Sequence, residues 1–364
     1  MPANSNKNIL FYISGHGFGH LGQCIPIIEH LHQAHKSWQF FICSAIPEKH
    51  LHQHIDAPIQ VLPQSFDFGM IMEDAFRVDK PATLLQFQNQ LDHWQEEIEK
   101  VEKIIEEIKA DLVLNNVSYL LPLAARQFKI PCITFSSLNW YDIAKDYFPD
   151  QSQLLEKLKS GYEASSCFFN LTPGMGRSWN GPMKEIGPVA KRGYALDLNE
   201  ICKTEQQRFV LVSMGGIPFD IDFSNWPEIN NVIWLTAQDF SENIAQCYPV
   251  PNPRPDIKPL PSFDISYSNA LASCDLLLTK PGYGNFVEAA CMGKPILYVP
   301  RDDWPEQPFL LSWIEANTIS LSLSEINFIQ GSFKSQVAQL LRGNYPAKSP
   351  TGISEFTQEL NRYI

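Results

Sequence analysis

His16 and His20 stand four residues apart in Gly15-His16-Gly17-Phe18-Gly19-His20, a loop that follows the apolar run Asn8 to Ser14 without a gap. An imidazole titrates near neutral pH, so a histidine held beside a hydroxyl can take its proton. For either residue alone, a ring turned into the core is the plainer alternative. Far along the chain, Lys280-Pro281-Gly282-Tyr283-Gly284 follows the strand-like run Leu276 to Thr279. Two glycines and a proline stop that strand and allow a tight turn with φ > 0. Asn285 to Met292 reads as a helix with Glu288 one turn inside it, ended by Gly293-Lys294-Pro295. A second strand, Ile296 to Val299, follows, and Glu306-Gln307 comes shortly after it. A helix N-terminus behind a glycine loop offers unpaired N–H groups to an anion, and a carboxylate just behind it suits a ribose or sugar beside a phosphate. The competing reading is an ordinary βαβ connection.

Strands and helices must present these loops. Asn8 to Ser14 is a buried-strand pattern and Leu21 to His32 has helical periodicity, so the first loop opens a Rossmann-like half. A dinucleotide site would ask for G-x-G-x-x-G and an acidic residue closing the second strand, but Gln39 to Cys43 ends in Ser44-Ala45. A P-loop would ask for lysine and a hydroxyl after its last glycine, where Gln23-Cys24 stand after Gly22. What remains is a glycine turn bearing two histidines. Pro63 to Pro81 reads as an irregular apolar loop that shapes a cleft or fills a core, and Ala82 to Ala110 as one long amphipathic helix. Strands are expected at Asp111 to Asn115, Ile130 to Phe135 and Cys167 to Leu171, and helices at Leu120 to Phe128 and Gln151 to Ser165. Ser136 to Trp140 falls at a strand's C-terminal end, where α/β proteins place ligands. A polar shift from Gly187 to Gln207 marks the linker. Beyond it, Phe209 to Ser213 runs into Met214-Gly215-Gly216, again strand then glycines, and Asn231 to Leu235 is a strand. Asp264 is a candidate N-cap for the helix Ser266 to Ser273. Phe333 to Leu341 and Ser354 to Tyr363 read as helices. These elements imply an α/β chain of two domains, 1–190 and 205–345, with the helix 354–363 left over.

Composition narrows the partners. The 364 residues are 44% hydrophobic and 19% charged, which is globular composition. A net charge of −12 argues against nucleic acid or a broad anionic membrane surface, though a local membrane contact stays open. The eight cysteines carry no CxxC spacing and sit mostly in apolar runs, which suits core residues in a reducing, cytoplasmic setting. His30, His32, His35, His50, His52 and His54 have metal-like spacing but polar company, and solvated histidines are the commoner outcome. No apolar run approaches the ~20 residues of a membrane span, and the N-terminus lacks a signal-peptide layout. Asp220-Ile221-Asp222 has D-x-D form, a three-letter pattern that is weak evidence for a metal.

The pattern "strand, K-P-G-Y-G, three residues, Glu, small residues, G-K-P, strand, P-R, five residues, E-Q" resembles the donor half of GT-B nucleotide-sugar glycosyltransferases. It is similar above all to the lipid II N-acetylglucosaminyltransferase group and to the glycosyltransferase-like domain of plant arabinokinases. The first glycine loop matches as well, so the resemblance covers most of the chain. It implies GT-B architecture: two Rossmann-like domains facing across a cleft, with the final helix crossing back to the first. It implies a nucleotide sugar, with UDP as nucleotide, as donor. Gly215, Gly216, Gly282 and Gly284 would face the diphosphate in the company of Lys280, Tyr283 and Asn285. Glu288 would hold the ribose, Phe263 and Ile265 would lie against the uracil, and Glu306 and Gln307 would meet the sugar. Gly15, Gly17, Phe18 and Gly19 would form the acceptor-side loop, with His20 as base and His16 positioning the substrates. The activity implied is inverting hexosyl transfer without metal or cofactor, to an acceptor that is a saccharide, a lipid-linked group or a small molecule. Rival readings are a nucleotide-sugar 2-epimerase or hydrolase of the same fold, and a non-catalytic nucleotide-sugar-binding protein. The sequence leaves the oligomeric state open.

Overall fold

The structure, a computed structural model, describes residues 6–215, 223–237, 254–343 and 345–364, with the backbone alone at Phe18. Gly216, Asp220 and Asp222 lie outside the described residues. Two sheets organise the chain. The first holds β1 (Asn8–Ile13), β2 (Gln39–Ser44), β3 (Ile59–Leu62), β4 (Leu112–Asn116), β5 (Cys132–Ser136), β6 (Cys167–Leu171) and β7 (Met183–Ile186), in the order β3-β2-β1-β4-β5-β6-β7. The second holds β8 (Arg208–Ser213), β9 (Val232–Thr236), β10 (Ile257–Pro259), β11 (Leu276–Thr279), β12 (Ile296–Tyr298) and β13 (Ser320–Ser322), in the order β10-β9-β8-β11-β12-β13. Neighbouring strands are parallel throughout both sheets.

Parallel strands are covered on both faces, which is why the inner ones read as unbroken apolar runs rather than alternating ones. β4, β5, β6 and β11 are buried along their whole length. Apart from Thr134 in the middle of β5, their polar residues lie towards the C-terminal ends, where Asn115, Asn116, Ser136, Asn170 and Thr279 are all buried. In each sheet the order reverses beside the first strand. β1 pairs with β2 on one side and β4 on the other, and β8 pairs with β9 and β11. Loops leaving those carboxyl ends diverge and open a crevice, the usual ligand position in such sheets.

Contacts divide the chain into two compact units, 1–71 with 78–189 and 350–364, and 72–77 with 190–349. The helix Gly352–Leu360 belongs to the first unit, where Phe356 is wedged between the rings of Phe135 and Phe169 at 5.1 Å from each. The polar stretch after Gly187 is not a free linker: Tyr194 N–H donates to Asn269 Oδ1 and Leu196 N–H to Ser273 Oγ, so it is stitched onto the second unit.

Two local expectations are corrected and a third is resolved. The long helix is two helices, Lys80–Asp92 and Trp94–Ile108, broken at His93. There the imidazole Nδ1 lies 2.9 Å from the Asn89 carbonyl, taking the acceptor that the His93 main-chain N–H would have used in a continuous helix. The N-cap of helix Tyr267–Ser273 is Ser266, whose Oγ accepts from Asn269 N–H at 3.3 Å, and not Asp264. The segment 63–81 is irregular up to the helix that begins at Lys80, as expected, and it fills core in two places. Phe66 and Asp67 are buried in the first unit, whereas Ala75 and Phe76 join the core of the second with Trp234 and Phe333.

Candidate functional site

In the first unit, β1 delivers Ser14-Gly15-His16-Gly17 to the carboxyl edge of the sheet, and the helix Phe18–Ala34 begins at once. Gly17 caps it with φ +81°, a left-handed value that glycine takes without a Cβ clash. Gly15 on this loop and Gly19 in the first turn of the helix are exposed. His20, in the helix's first turn, is buried, and its Nδ1 lies 2.8 Å from Asn116 Oδ1 at the end of β4. Asn116 Nδ2 donates to Gln23 Oε1 and to the Phe135 carbonyl, each at 3.0 Å, and Gln23 Nε2 donates to Ser137 Oγ at 2.9 Å. Burial pushes the His20 imidazole down to about 4, with the Asn116 bond opposing it, so the ring is neutral at physiological pH.

His16 is half-buried and its ring meets the edge of Trp140, with centroids 5.1 Å apart; His20 lies 5.8 Å from the same indole. Beneath them sits a residue the sequence reading passed over. Asp67 is buried and accepts from Tyr12 OH and Ser14 Oγ through Oδ1, each at 2.9 Å, and from Trp140 Nε1 through Oδ2 at 3.0 Å. Desolvation raises its carboxyl to about 6, with those three donors pulling it back. The hub ties β1, the loop after β3 and the helix Trp140–Tyr147 into one floor under the histidines. Asp67 had been hidden between two phenylalanines in an apolar stretch, and only its partners, more than fifty residues away, reveal its part.

In the second unit, β11 runs into Lys280-Pro281-Gly282 and the helix Tyr283–Cys291. The turn is not made by left-handed glycines. Gly282 has φ −171°, extended backbone open to any residue, and Gly284 lies inside the helix. What Gly282 provides is space, since a Cβ there would meet nothing within 4 Å. The left-handed glycine is Gly215, at φ +79° after β8, where a Cβ would come 3.4 Å from Lys280 Cε. Gly215 and Lys280 are thereby brought together, as are Asn285 and both strand ends. Asn285 Nδ2 donates to Thr279 Oγ1 at 2.7 Å and to the Ser213 carbonyl at 3.3 Å, and its Oδ1 accepts from Tyr267 OH at 2.8 Å. Its amide is a clamp holding β8, β11 and the helix N-terminus in register.

Glu288 is nine-tenths buried one turn further along. Burial raises its carboxyl to about 8, while the charge and backbone N–H of Lys191 pull the other way. Tyr283 is buried at the start of the same helix. Lys280 and Arg301 are two nearly buried cations whose side chains hold one strap: Lys280 Nζ donates to the Ala75 carbonyl at 2.9 Å and Arg301 Nε to that of Phe76 at 3.4 Å. Arg301, which sequence reasoning did not single out, also stacks over Trp304 at 4.2 Å. Glu306 is buried and accepts from Trp304 Nε1 at 3.1 Å, and Gln307 Oε1 accepts from Arg301 N–H at 2.6 Å. Phe263 and Ile265 are half-buried on a separate segment just before Ser266. Among the described residues, no three His, Cys, Asp or Glu side chains converge as a metal site, and no helix is long and apolar enough to cross a membrane.

Comparison with known proteins agrees with this architecture. Residues 7–152 match the model for glycosyl transferase family 1. The chain is 24% identical over 361 residues to L-arabinokinase of Arabidopsis thaliana, covering 90% of itself but only 32% of that protein, so it spans about a third of the relative's length. A UDP-glucosyltransferase from Polygonum tinctorium that glucosylates indoxyl superposes with a TM-score of 0.62 at 13% identity, over 99% of this chain and 94% of that one. The calicheamicin glycosyltransferase CalG4 gives 0.62 at 14% identity, over 99% and 98%. A UDP-N-acetylglucosamine 2-epimerase, so described from the structure of the Listeria monocytogenes protein, gives 0.57 at 13% identity, over 97% and 95%. With two parallel α/β sheets of Rossmann type, a family-model match across its first glycine loop and solved neighbours of this kind, the chain has the GT-B fold of the nucleotide-sugar glycosyltransferases.

Proposed function

We propose that the protein transfers a hexosyl group from a UDP-sugar to an acceptor hydroxyl, with inversion and without a metal. Fold alone hosts several chemistries, so the reading rests on the sites. The observation that carries it is a neutral, buried histidine at the carboxyl edge of the first sheet, on a chain whose second sheet presents an open glycine, a helix N-terminus and a buried glutamate. His20 takes the acceptor proton. The first-turn N–H groups after Gly282 and the backbone at Gly215 receive the charge that builds on the departing diphosphate. Gly216 would extend that second loop, and Glu288 accepts from the ribose hydroxyls. A single displacement by the acceptor hydroxyl gives inversion. A saccharide, a lipid-linked group or a small molecule could serve as acceptor.

The primary test is binding. UDP and UDP-sugars should raise the melting temperature, because ligand at 100 times its Kd adds about 2.7 kcal/mol of stability. Glu288→Ala should then lose roughly 1.5–3 kcal/mol of UDP affinity by calorimetry above pH 8, where the carboxylate is charged, the range for a hydrogen bond to a charged group. Because burial raises the free carboxyl to about 8 and its ionised form is the better acceptor, UDP affinity should rise as pH climbs towards 8 and level off above it, and Glu288→Gln should flatten that slope. Equal affinity in a folded Glu288→Ala variant sinks the ribose assignment.

Gly282→Ala isolates the diphosphate loop. Its extended backbone accepts alanine and the added methyl meets no protein atom within 4 Å, so the melting temperature should not move. A methyl where the phosphate approaches should nevertheless weaken UDP by at least about tenfold, or 1.4 kcal/mol. Retained affinity would make this turn only a connection. Addition of EDTA should leave turnover unchanged, and strict Mg²⁺ dependence would restore Asp220 and Asp222 as candidates. Since a solved neighbour is described as a UDP-N-acetylglucosamine 2-epimerase, NMR of products formed from UDP-GlcNAc alone separates transfer from epimerisation.

A further inference from the structure

The two histidines of the first loop are held by partners of opposite character. Asn116 offers its Oδ1 to His20 Nδ1, and that orientation of the amide is unambiguous. Its Nδ2 faces the main-chain carbonyl of Phe135 at 3.0 Å, an atom that can only accept; a flipped amide would set two oxygens against each other. Gln23 supplies a second acceptor to the same Nδ2 at 3.0 Å and is itself anchored to Ser137. Oδ1 cannot donate, so the proton in the 2.8 Å contact belongs to His20 Nδ1, and the lone pair of the neutral ring lies at Nε2. For His16 the situation is reversed. Its Nδ1 receives the main-chain N–H of Met70 at 3.3 Å, and an amide N–H can only donate. The lone pair of His16 is therefore at Nδ1 and its proton at Nε2. Room for this ring comes from Gly69, where a Cβ would come within 2.3 Å of the His16 ring and φ is +65°.

We propose that the loop carries a fixed acceptor–donor pair, with Asn116 locking His20 as the Nδ1–H tautomer and the Met70 amide locking His16 as the Nε2–H tautomer. The inference deepens the transferase reading and rests on it for its chemical meaning. His20 Nε2 is then the atom that takes a hydroxyl proton, forming the N–H bond as the O–H bond breaks. His16 Nε2–H can only donate and does not compete for that proton. Asn116 and Gln23 are positioning residues acting through His20. The network is uncharged, in keeping with the low titration of His20, whereas an anionic partner would raise it.

The test is the nitrogen spectrum of ¹⁵N-histidine-labelled protein at neutral pH, assigned with His16→Gln and His20→Gln. Long-range ¹H–¹⁵N correlations should show a protonated Nδ1 and bare Nε2 for His20, and the reverse for His16. Finding the same tautomer in both rings, or rapid averaging in either, overturns the proposal. Two variants sharpen it. Asn116→Ala removes the acceptor, so His20 should lose its single tautomer and average while that of His16 stays. Among the described residues, Trp140 and His16 also face His20, and Asp67 lies one hydrogen bond beyond the indole. A His20 spectrum unchanged in Asn116→Ala counts against the Asn116 contact. Gly69→Ala should displace the His16 ring and release its tautomer while leaving that of His20 intact; an unchanged His16 spectrum counts against the Met70 contact. If the tautomers are as stated but His20→Gln turns over UDP-sugar at full rate, the pair stands and the assignment of His20 as base falls.

Discussion

His20→Ala is expected to lower kcat by roughly 10²–10⁴-fold, the usual contribution of a positioned general base. Its affinity for UDP should not change, because Gly215, Gly282 and Glu288 are in the other unit. The pH profile adds an independent signature. A base must be unprotonated, and His20 is unprotonated above its pKa. With that value pushed by burial from 6.5 to about 4, kcat at saturating UDP-sugar should stay level on the acid side of neutrality and fall only as pH drops through about 4. An acid limb near 6.5 would point to a solvated histidine instead. Full turnover by His20→Ala, with His16→Ala inactive, would exchange the two roles.

Asp67→Ala should cost stability rather than chemistry first. The substitution strips the acceptor from Tyr12 OH, Ser14 Oγ and Trp140 Nε1 at once. Buried donors left without partners cost about 1–3 kcal/mol each, so a loss of about 3 kcal/mol or more follows. For a unit of this size that corresponds to a fall in melting temperature of roughly 6–12 °C by circular dichroism. Asp67→Asn retains the oxygen that Tyr12 and Ser14 share and should fall less. A melting temperature for Asp67→Ala within about 2 °C of the parent would mean that the hub contributes little to the fold. Because Trp140 underlies both imidazoles, the alanine variant should also disturb the His16 and His20 resonances.

Sequence alone determined the inner framework. β6 and β11 were legible to the residue as Cys167–Leu171 and Leu276–Thr279, and the glycine loops after β1, β8 and β11 followed from where those apolar runs stop. Central strands of a parallel sheet are buried on both faces, so their composition is dictated locally and shows as an apolar run. The strands that escaped notice are β3, β7, β10 and β13, the outermost members of the two sheets. They are three or four residues long and only partly buried, supported by one neighbour each, so their assignment depends on a partner strand and not on their own pattern. The candidate sites divide in the same way. His16, His20, Glu288 and Glu306 could be picked out because each sits beside a loop signature. Asn116, Asp67 and Arg301 could not, because what matters in each is a contact across 96, 73 and 225 residues of chain. The break at His93, the extended φ of Gly282 and the choice of Ser266 as cap were likewise decided by competition among hydrogen-bond partners once the chain was folded. Spacing along a chain limits which groups can be neighbours locally, whereas the proton on a histidine nitrogen is set by whichever donor or acceptor tertiary packing brings to face it.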